Sequence, residues 1–163
     1  MAFSDFFKNI FKPKAKTDKP DTQKIYKTTD GYLGGDSKNK KPRHVVVVDQ
    51  RVDDGALAVS KIHSKEGKKD DCHIKHLTLK PKKHESLTKP SAVEHRVIVG
   101  VKEPGTKKYK PINSRDMQKT NDRVTNREYK KIKRGLGGKT RANRTTAKNT
   151  LAKWHNHFKD TKK

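Results

Sequence analysis

Three side chains with the chemistry needed to cleave RNA stand at the ends of two predicted strands. Arg43 precedes the apolar run HVVVVD, and His63 and Ser64 follow the apolar run ALAVSKI. The dipeptide Asp54–Gly55 between the two runs is a strong signal for a β-hairpin. Because a hairpin brings the start of its first strand beside the end of its second, we expect Arg43 to lie close to His63 and Ser64.

These groups match the requirements of RNA cleavage by attack of the 2′-hydroxyl on the neighbouring phosphate. A base removes the hydroxyl proton, an acid protonates the leaving oxygen, and a cation stabilises the pentacoordinate phosphorane. We expect Arg43 to be the cation and His63 and Ser64 to supply acid–base and hydrogen-bonding functions, without a metal ion or other cofactor. The alternative is that Arg43 is a solvated rim residue and His63 a polar loop residue.

Two other patterns lack the residues that their chemistry needs. The sequence GGKT (137–140) resembles the end of a phosphate-binding P-loop, but Lys133 stands where that motif requires glycine. Cys72, His73 and His76 have no second cluster that would complete a tetrahedral zinc site. We therefore predict neither a nucleotide-binding loop nor a metal site.

The composition indicates an anionic partner. Lys and Arg number 42 against 18 acidic residues, which gives a formal net charge of +24 and a pI near 10.2. Nucleic acid is the leading candidate, because each neutralised phosphate releases condensed counterions; an anionic membrane surface is the second. With 37% charged residues, the whole chain is not expected to form one packed core.

The sequence favours a cytoplasmic protein. Its one cysteine excludes an internal disulfide. No apolar run approaches the roughly 18 residues of a transmembrane helix, and the N-terminus lacks the features of a secretory signal.

Five apolar segments predict a mainly β domain over residues 42–134, arranged as a small antiparallel barrel or half-open roll. The segments are HVVVVD (44–49), ALAVSKI (56–62), HIKHLTL (73–79), AVEHRVIVGV (92–101) and KKYKPI (107–112). The four consecutive valines predict a strand that is buried on both faces, or on one face with tight packing on the other. HIKHLTL changes the parity of its apolar positions, which indicates a β-bulge.

Flanking segments are expected to be helical or flexible. Residues 1–12 form a Phe-rich amphipathic helix that folds back on the domain, docks in a partner's groove, or lies on an anionic membrane. Residues 13–41 form a flexible, disordered basic linker, with at most one weak strand near KIYKTT. Residues 114–138 are helical, and residues 135–163 form a basic helical extension. In that extension Asn143 is the expected N-cap of a helix with the apolar stripe Ala147, Leu151, Trp154 and Phe158.

The basic residues expected to hold RNA fall into two groups. Lys40, Lys41 and Lys65 flank the predicted hairpin, and Lys130, Lys131, Lys133, Arg134, Lys139, Arg141 and Arg144 lie in the basic C-terminal part. A basic helix of this kind contacts nucleic acid, solubilises the chain, or binds a membrane.

Several short motifs resemble the MazF/PemK family of toxins. RHVVVV (43–48) looks like the family's first strand, with His44 replacing proline. KIHSK (61–65) is similar to the end of its second strand, and ESLTKPSAVEHRVI (85–98) to a later stretch. The following residues fit a closing strand and a terminal helix, so the resemblance covers roughly residues 40 to 134.

The resemblance implies an SH3-like antiparallel barrel that acts as a metal-independent endoribonuclease on single-stranded RNA. Arg43 matches the catalytic arginine of the family, whereas its catalytic threonine falls on His63, with Ser64 next to it. A later serine of the family falls on Ser91. A homodimer and an acidic antitoxin partner are also implied.

Two other functions remain open at the level of sequence. The first is a non-catalytic nucleic-acid-binding protein that uses the same barrel and basic tails as a clamp. The second is a membrane-surface accessory protein of a mobile element, anchored through residues 1–12.

Overall fold

An antiparallel sheet of five strands forms the body of the molecule. The computed structural model describes residues 20–34, 36, 38–65, 73–103, 105–106, 108–136 and 150–155. The strands of this sheet are β1 (Lys24–Thr29), β2 (Pro42–Gln50), β3 (Leu57–Ser64), β4 (Ser91–Val93) and β7 (Gln118–Arg123), in the order β4-β3-β2-β1-β7. The predicted mainly β class is confirmed.

The smaller elements cover this sheet. Strands β5 (Val101–Lys102) and β6 (Tyr109–Lys110) form a separate two-stranded sheet. Helix α1 (Asp30–Gly34) follows β1, a 3₁₀ turn spans Ser114–Asp116, and helix α2 (Asn126–Leu136) follows β7; residues 150–155 are also helical. Among the described residues, no helix has the length and apolar character needed to cross a membrane.

The four valines of β2 are buried because both faces of the sheet are covered. Val46 and Val48 pack in one apolar cluster with Ile132 of α2, and Val45 and Val47 pack in a second cluster on the opposite face. Adjacent residues of a strand project to opposite sides of its sheet, so a continuous apolar run requires two cores. The prediction of a strand buried on both faces is confirmed.

The predicted hairpin between β2 and β3 is also confirmed. The two strands pair antiparallel, and the backbone N–H of Arg51 donates to the carbonyl of Ala56 over 2.9 Å where the chain turns. Gly55 has a φ of 72°, in the left-handed region that glycine adopts without strain. The dipeptide Asp54–Gly55 therefore predicts the turn because its glycine can adopt this backbone conformation.

Two strands of the sheet come from segments that were expected to be linker or helix. Residues 24–34 form β1 and α1, and β1 lies between β2 and β7, so this part of 13–41 belongs to the folded domain. Residues 118–123, expected to be helical, form β7, whose Thr120 hydroxyl donates to the carbonyl of Ile25. Pairing with β1 overrides the weak helical pattern of this polar segment.

Two expected strands are shorter than predicted. Residues 73–79 make only single bridges, His73 with Glu94 and Leu79 with Ser91, and His76 has a φ of 62° that interrupts an extended chain. The run 92–101 is likewise divided between β4, a bridge of Ile98 with Val59, and β5. Among the described strands, β4 and β7 end the five-stranded sheet and do not pair with each other.

The basic extension contacts the domain where it is described. Trp154 is buried, its ring centroid lies 4.8 Å from the guanidinium of Arg51, and Leu151 packs on the same core. The predicted apolar stripe is thus confirmed at Leu151 and Trp154. Several predicted features lie outside the described residues. They are the helix of residues 1–12, the N-cap Asn143, the stripe residues Ala147 and Phe158, and the basic residues Lys139, Arg141 and Arg144.

Candidate functional site: two charged clusters

Arg43 and His63 are brought together by the β2–β3 hairpin. Arg43 is near the start of β2 and His63 near the end of β3, and Nη1 of Arg43 lies 2.7 Å from Nδ1 of His63. Both side chains are largely buried, with 15% and 10% of their surfaces exposed. The expected proximity of these two residues is confirmed; their catalytic roles remain predictions.

The guanidinium of Arg43 is paired with Asp30, the first residue of α1. Nε and Nη2 of Arg43 donate to the two carboxylate oxygens of Asp30, each over 2.8 Å. This bidentate hydrogen bonding lowers the pKa of Asp30 to about 2 and raises the pKa of Arg43. The positive charge of Arg43 is therefore offset inside the protein.

His63 completes a chain of four side chains with Glu94, the residue after β4. An arginine is only a donor, so Nδ1 of His63 accepts from Arg43 and the ring proton is on Nε2. Nε2 donates to Oε1 of Glu94 over 2.5 Å. Burial alone would raise the pKa of Glu94, but the hydrogen bond from His63 and nearby cations lower it overall.

The Asp30–Arg43–His63–Glu94 set, called here the Arg43 network, joins α1, β2, β3 and the end of β4. Both ring nitrogens of His63 are engaged, so in this arrangement neither is available to take a proton from a hydroxyl group. Ser64 is the next residue of the same strand and projects to the opposite side of the sheet. The role expected for Ser64 beside Arg43 and His63 stays a prediction.

Of the other residues expected near this site, Lys41 contacts the Arg43 network: its carbonyl accepts from the backbone N–H of Asp30 over 2.9 Å, and its charge helps to lower the pKa of Asp30. The side chains of Lys40 and Lys41 are exposed. Lys65 turns to the hydroxyl of Thr78, with its Nζ 2.5 Å from Oγ1. Ser91 is buried in β4, and its hydroxyl donates to the carbonyl of Lys89 over 2.8 Å.

A second charged cluster surrounds His84, whose side chain is 1% exposed. Nδ1 of His84 lies 2.8 Å from a carboxylate oxygen of Asp122, and Nε2 lies 2.9 Å and 3.0 Å from the two carboxylate oxygens of Glu128. A ring nitrogen must donate to a carboxylate, so both nitrogens carry protons and the ring is cationic. Burial alone would lower the pKa of His84, but these hydrogen bonds raise it overall.

This His84 cluster, comprising His84, Asp122 and Glu128, attaches the 80–87 loop to β7 and α2. The hydroxyl of Ser86 donates to Asp122 over 2.5 Å. Glu128 also accepts from the backbone N–H of Thr125 over 2.9 Å, while the backbone N–H of Glu128 donates to the Thr125 hydroxyl over 3.2 Å. This reciprocal pair of hydrogen bonds is a capping box. The sequence pattern TNRE at 125–128 is typical of a capping box and could have predicted it.

Helix α2 presents a cationic face to solvent. Arg127, Lys130, Lys131 and Arg134 are exposed and recur at the spacing that places them on one side of a helix. Ile132 and Leu136 are buried on the opposite side. Lys133 is exposed too, and its ammonium lies 5.7 Å from the centroid of the Tyr129 ring. The residues expected to bind RNA over 130–134 are thus accessible, and Arg127, which was not among the expected residues, shares their face of the helix.

Neither the protein-family models nor the curated proteins contain a match to this chain. Within the part of the chain that the structure describes, no three His, Cys, Asp or Glu side chains are grouped so that they could hold a metal ion.

Proposed function

We propose that the chain is a non-catalytic nucleic-acid-binding protein that holds the backbone of single-stranded RNA on the exposed cationic face of α2. The observation that carries the proposal is the set Arg127, Lys130, Lys131 and Arg134 on one solvent-facing side of that helix. A phosphate backbone recognised in this way is bound through counterion release, without reading of the bases. The large net positive charge would speed the encounter between protein and RNA.

The test is the salt dependence of binding to a labelled single-stranded RNA, measured by fluorescence anisotropy. The double variant Lys130→Gln/Arg134→Gln removes two contacts, so the slope of log K against log salt should decrease by roughly 0.7 per contact. The matched control is Lys38→Gln/Lys119→Gln, since both lysines are exposed and lie off α2. Equal slopes for the two double variants would show that α2 is not the interface.

Other features of the proposal follow from the MazF/PemK resemblance. The open sheet together with the β5–β6 pair would be a variant of the SH3-like barrel, and the protein would work in the cytoplasm. An acidic partner protein would compete with RNA for the α2 face, because both ligands carry negative charge. Titration of a preformed protein–RNA complex with a polyglutamate peptide, read by anisotropy, tests whether an acidic chain displaces the RNA.

Metal-independent endoribonuclease activity is the second candidate, and the 2.7 Å approach of Arg43 to His63 favours it. For cleavage, Arg43 must leave Asp30 to meet the phosphate, and His63 must release one of its two partners. Incubation with a defined RNA in EDTA, followed by mapping of the ends, distinguishes the candidates. Fragments with 2′,3′-cyclic phosphate ends that disappear in Arg43→Ala, with RNA affinity retained, would establish cleavage; intact RNA would exclude it.

A further inference from the structure

A cavity of about 280 Å³ opens between the start of α2 and the segment 76–83. Its lining includes four cationic side chains, Lys80, Lys83, Arg127 and Lys131, and one carboxylate, Glu128. The volume is close to the lower end of the roughly 300–1,000 Å³ typical of small-molecule sites. The cavity therefore suits a group of about the size of one nucleotide.

Most of the positive charge in this cavity has no partner among the described residues. Lys80, Lys83 and Arg127 are exposed, and none of their side chains makes a hydrogen bond or ion pair with the residues that the structure describes. Lys131 donates one long hydrogen bond, 3.5 Å, to the carbonyl of His76. At the rim, Lys65 contacts Thr78, which also lines the cavity.

The single carboxylate of the cavity is already engaged. Glu128 accepts from His84 and from the backbone N–H of Thr125, each at 2.9 Å. The cationic ring of His84 offsets part of the negative charge of Glu128, since the ring is shared with Asp122, and the four cations of the cavity outnumber this one carboxylate. The first turn of α2 likewise has its Thr125 and Glu128 N–H groups bonded in the capping box. The attraction for an anion comes from the four side-chain cations.

The walls of the cavity are held in place from beneath. His84 follows directly after the 76–83 wall and binds Glu128 of the α2 wall. Its other nitrogen binds Asp122, which also accepts from Ser86. A site whose walls are fixed before binding loses less entropy when a ligand enters.

We propose that this cavity is a subsite for the phosphate of one nucleotide unit. The cations of the cavity are the reason for assigning a phosphate as its ligand. The further step, that this phosphate belongs to a bound RNA strand, rests on the proposed function. Planar guanidinium and mobile ammonium groups both bind phosphate oxygens through charge-assisted hydrogen bonds.

The test is an NMR titration of the ¹⁵N-labelled chain with uridine 5′-monophosphate, with uridine as the neutral comparison. Amide signals of residues 76–78 and 125–131 should shift with the nucleotide and stay in place with the nucleoside, and inorganic phosphate should shift the same signals. Lys83→Gln should weaken nucleotide binding about tenfold, as expected for loss of a hydrogen bond to a charged group. Lys82→Gln is the matched control, since Lys82 is the exposed neighbour and does not line the cavity.

Equal effects of the two variants, or shifts confined to other residues, would overturn the subsite. An anisotropy measurement with single-stranded RNA separates this failure from failure of the proposed function. If RNA binds through α2 while the nucleotide leaves the cavity signals unchanged, the subsite is wrong and the proposed function stands. If the nucleotide binds in the cavity and RNA does not bind, the subsite is supported as a site for free nucleotide and RNA binding is excluded.

Discussion

The Arg43 network and the His84 cluster use the same kinds of side chain but leave different charges facing solvent. In the Arg43 network, two carboxylates enclose two bases, and Asp30, Arg43, His63 and Glu94 are each bonded to the next. In the His84 cluster, the two carboxylates turn inward to one buried imidazolium. The lysines and arginine beside that cluster are left exposed.

This difference indicates which of the two regions is suited to bind an anion. A guanidinium already held by a carboxylate must lose that partner before it can bind phosphate, whereas an unpaired cation needs only to shed water. Arg43 has the residue type of a catalytic cation, but Asp30 offsets its charge. Lys80, Lys83 and Arg127 are residues of a kind common on protein surfaces. No side chain among the described residues forms an ion pair with them. Unpaired charge, more than residue type, points to the ligand site.

The largest effect is expected for His84→Ala. Removal of the ring leaves Asp122 and Glu128 close together without their buried cation, which should lower the free energy of unfolding by about 3–5 kcal/mol. Urea denaturation followed by circular dichroism measures the change. The control is His76→Asn, an exposed position at which asparagine tolerates the positive φ, with an expected change within about 0.5 kcal/mol. A loss below about 1 kcal/mol for His84→Ala would mean that the cluster does not hold the loop to α2.

Arg43→Ala should have the next largest effect, about 2–3 kcal/mol, because Asp30 and His63 lose hydrogen bonds to a charged group. Arg43→Lys should recover only part of it, since an ammonium group cannot reproduce the bidentate pairing. The same denaturation experiment measures both variants. If the urea midpoint of Arg43→Ala equals that of the wild type, the Arg43 network does not stabilise the fold, and a catalytic role for Arg43 gains support.

The sequence was sufficient for local features and insufficient for partners from distant segments. Four valines and Asp54–Gly55 predict β2, β3 and their turn, because strand pattern and turn chemistry are local properties. Glu94 is 31 residues from His63, and Glu128 is 44 residues from His84. Such pairings depend on the order of strands in the sheet, which places β1 beside β7. The sequence predicts at most a weak strand near KIYKTT for β1, and a helix for the β7 segment. The basic character of α2 was readable, but the cavity beside it was not.

A smaller and graded effect is expected from pH. The pKa of His84 is raised in the folded chain, so its stabilisation is complete below the ordinary histidine pKa of about 6.5 and is lost as pH rises through the folded value. The pKa of Asp122 is lowered: burial opposes this shift, but hydrogen bonds from Ser86 and His84 outweigh it. Its contribution is present above the ordinary aspartate pKa and is lost as pH falls through the lowered value.

Urea midpoints of the wild type and of His84→Gln across the neutral to alkaline range measure this linkage. The wild type should lose stability as pH rises past 6.5, and His84→Gln should change less over the same interval, because it lacks the titrating ring. Parallel pH profiles would show that the buried ring is not the cation that the geometry indicates.

The smallest expected effect concerns Thr125, which caps α2 beside the cavity. Thr125→Ala removes the acceptor for the backbone N–H of Glu128 but keeps the backbone donor to its carboxylate, so we expect a loss of about 1 kcal/mol. Thr125→Ser should restore the wild-type value, since it keeps the hydroxyl. Thr106→Ala is the control: that hydroxyl also bonds to backbone, at an exposed turn with no helix to cap, and a change within about 0.5 kcal/mol is expected. If Thr125→Ala also weakens uridine 5′-monophosphate binding while Thr106→Ala does not, the capped start of α2, where Thr125 itself lines the cavity, contributes to the phosphate subsite. If it weakens neither stability nor binding, the His84 cluster alone fixes the orientation of the helix.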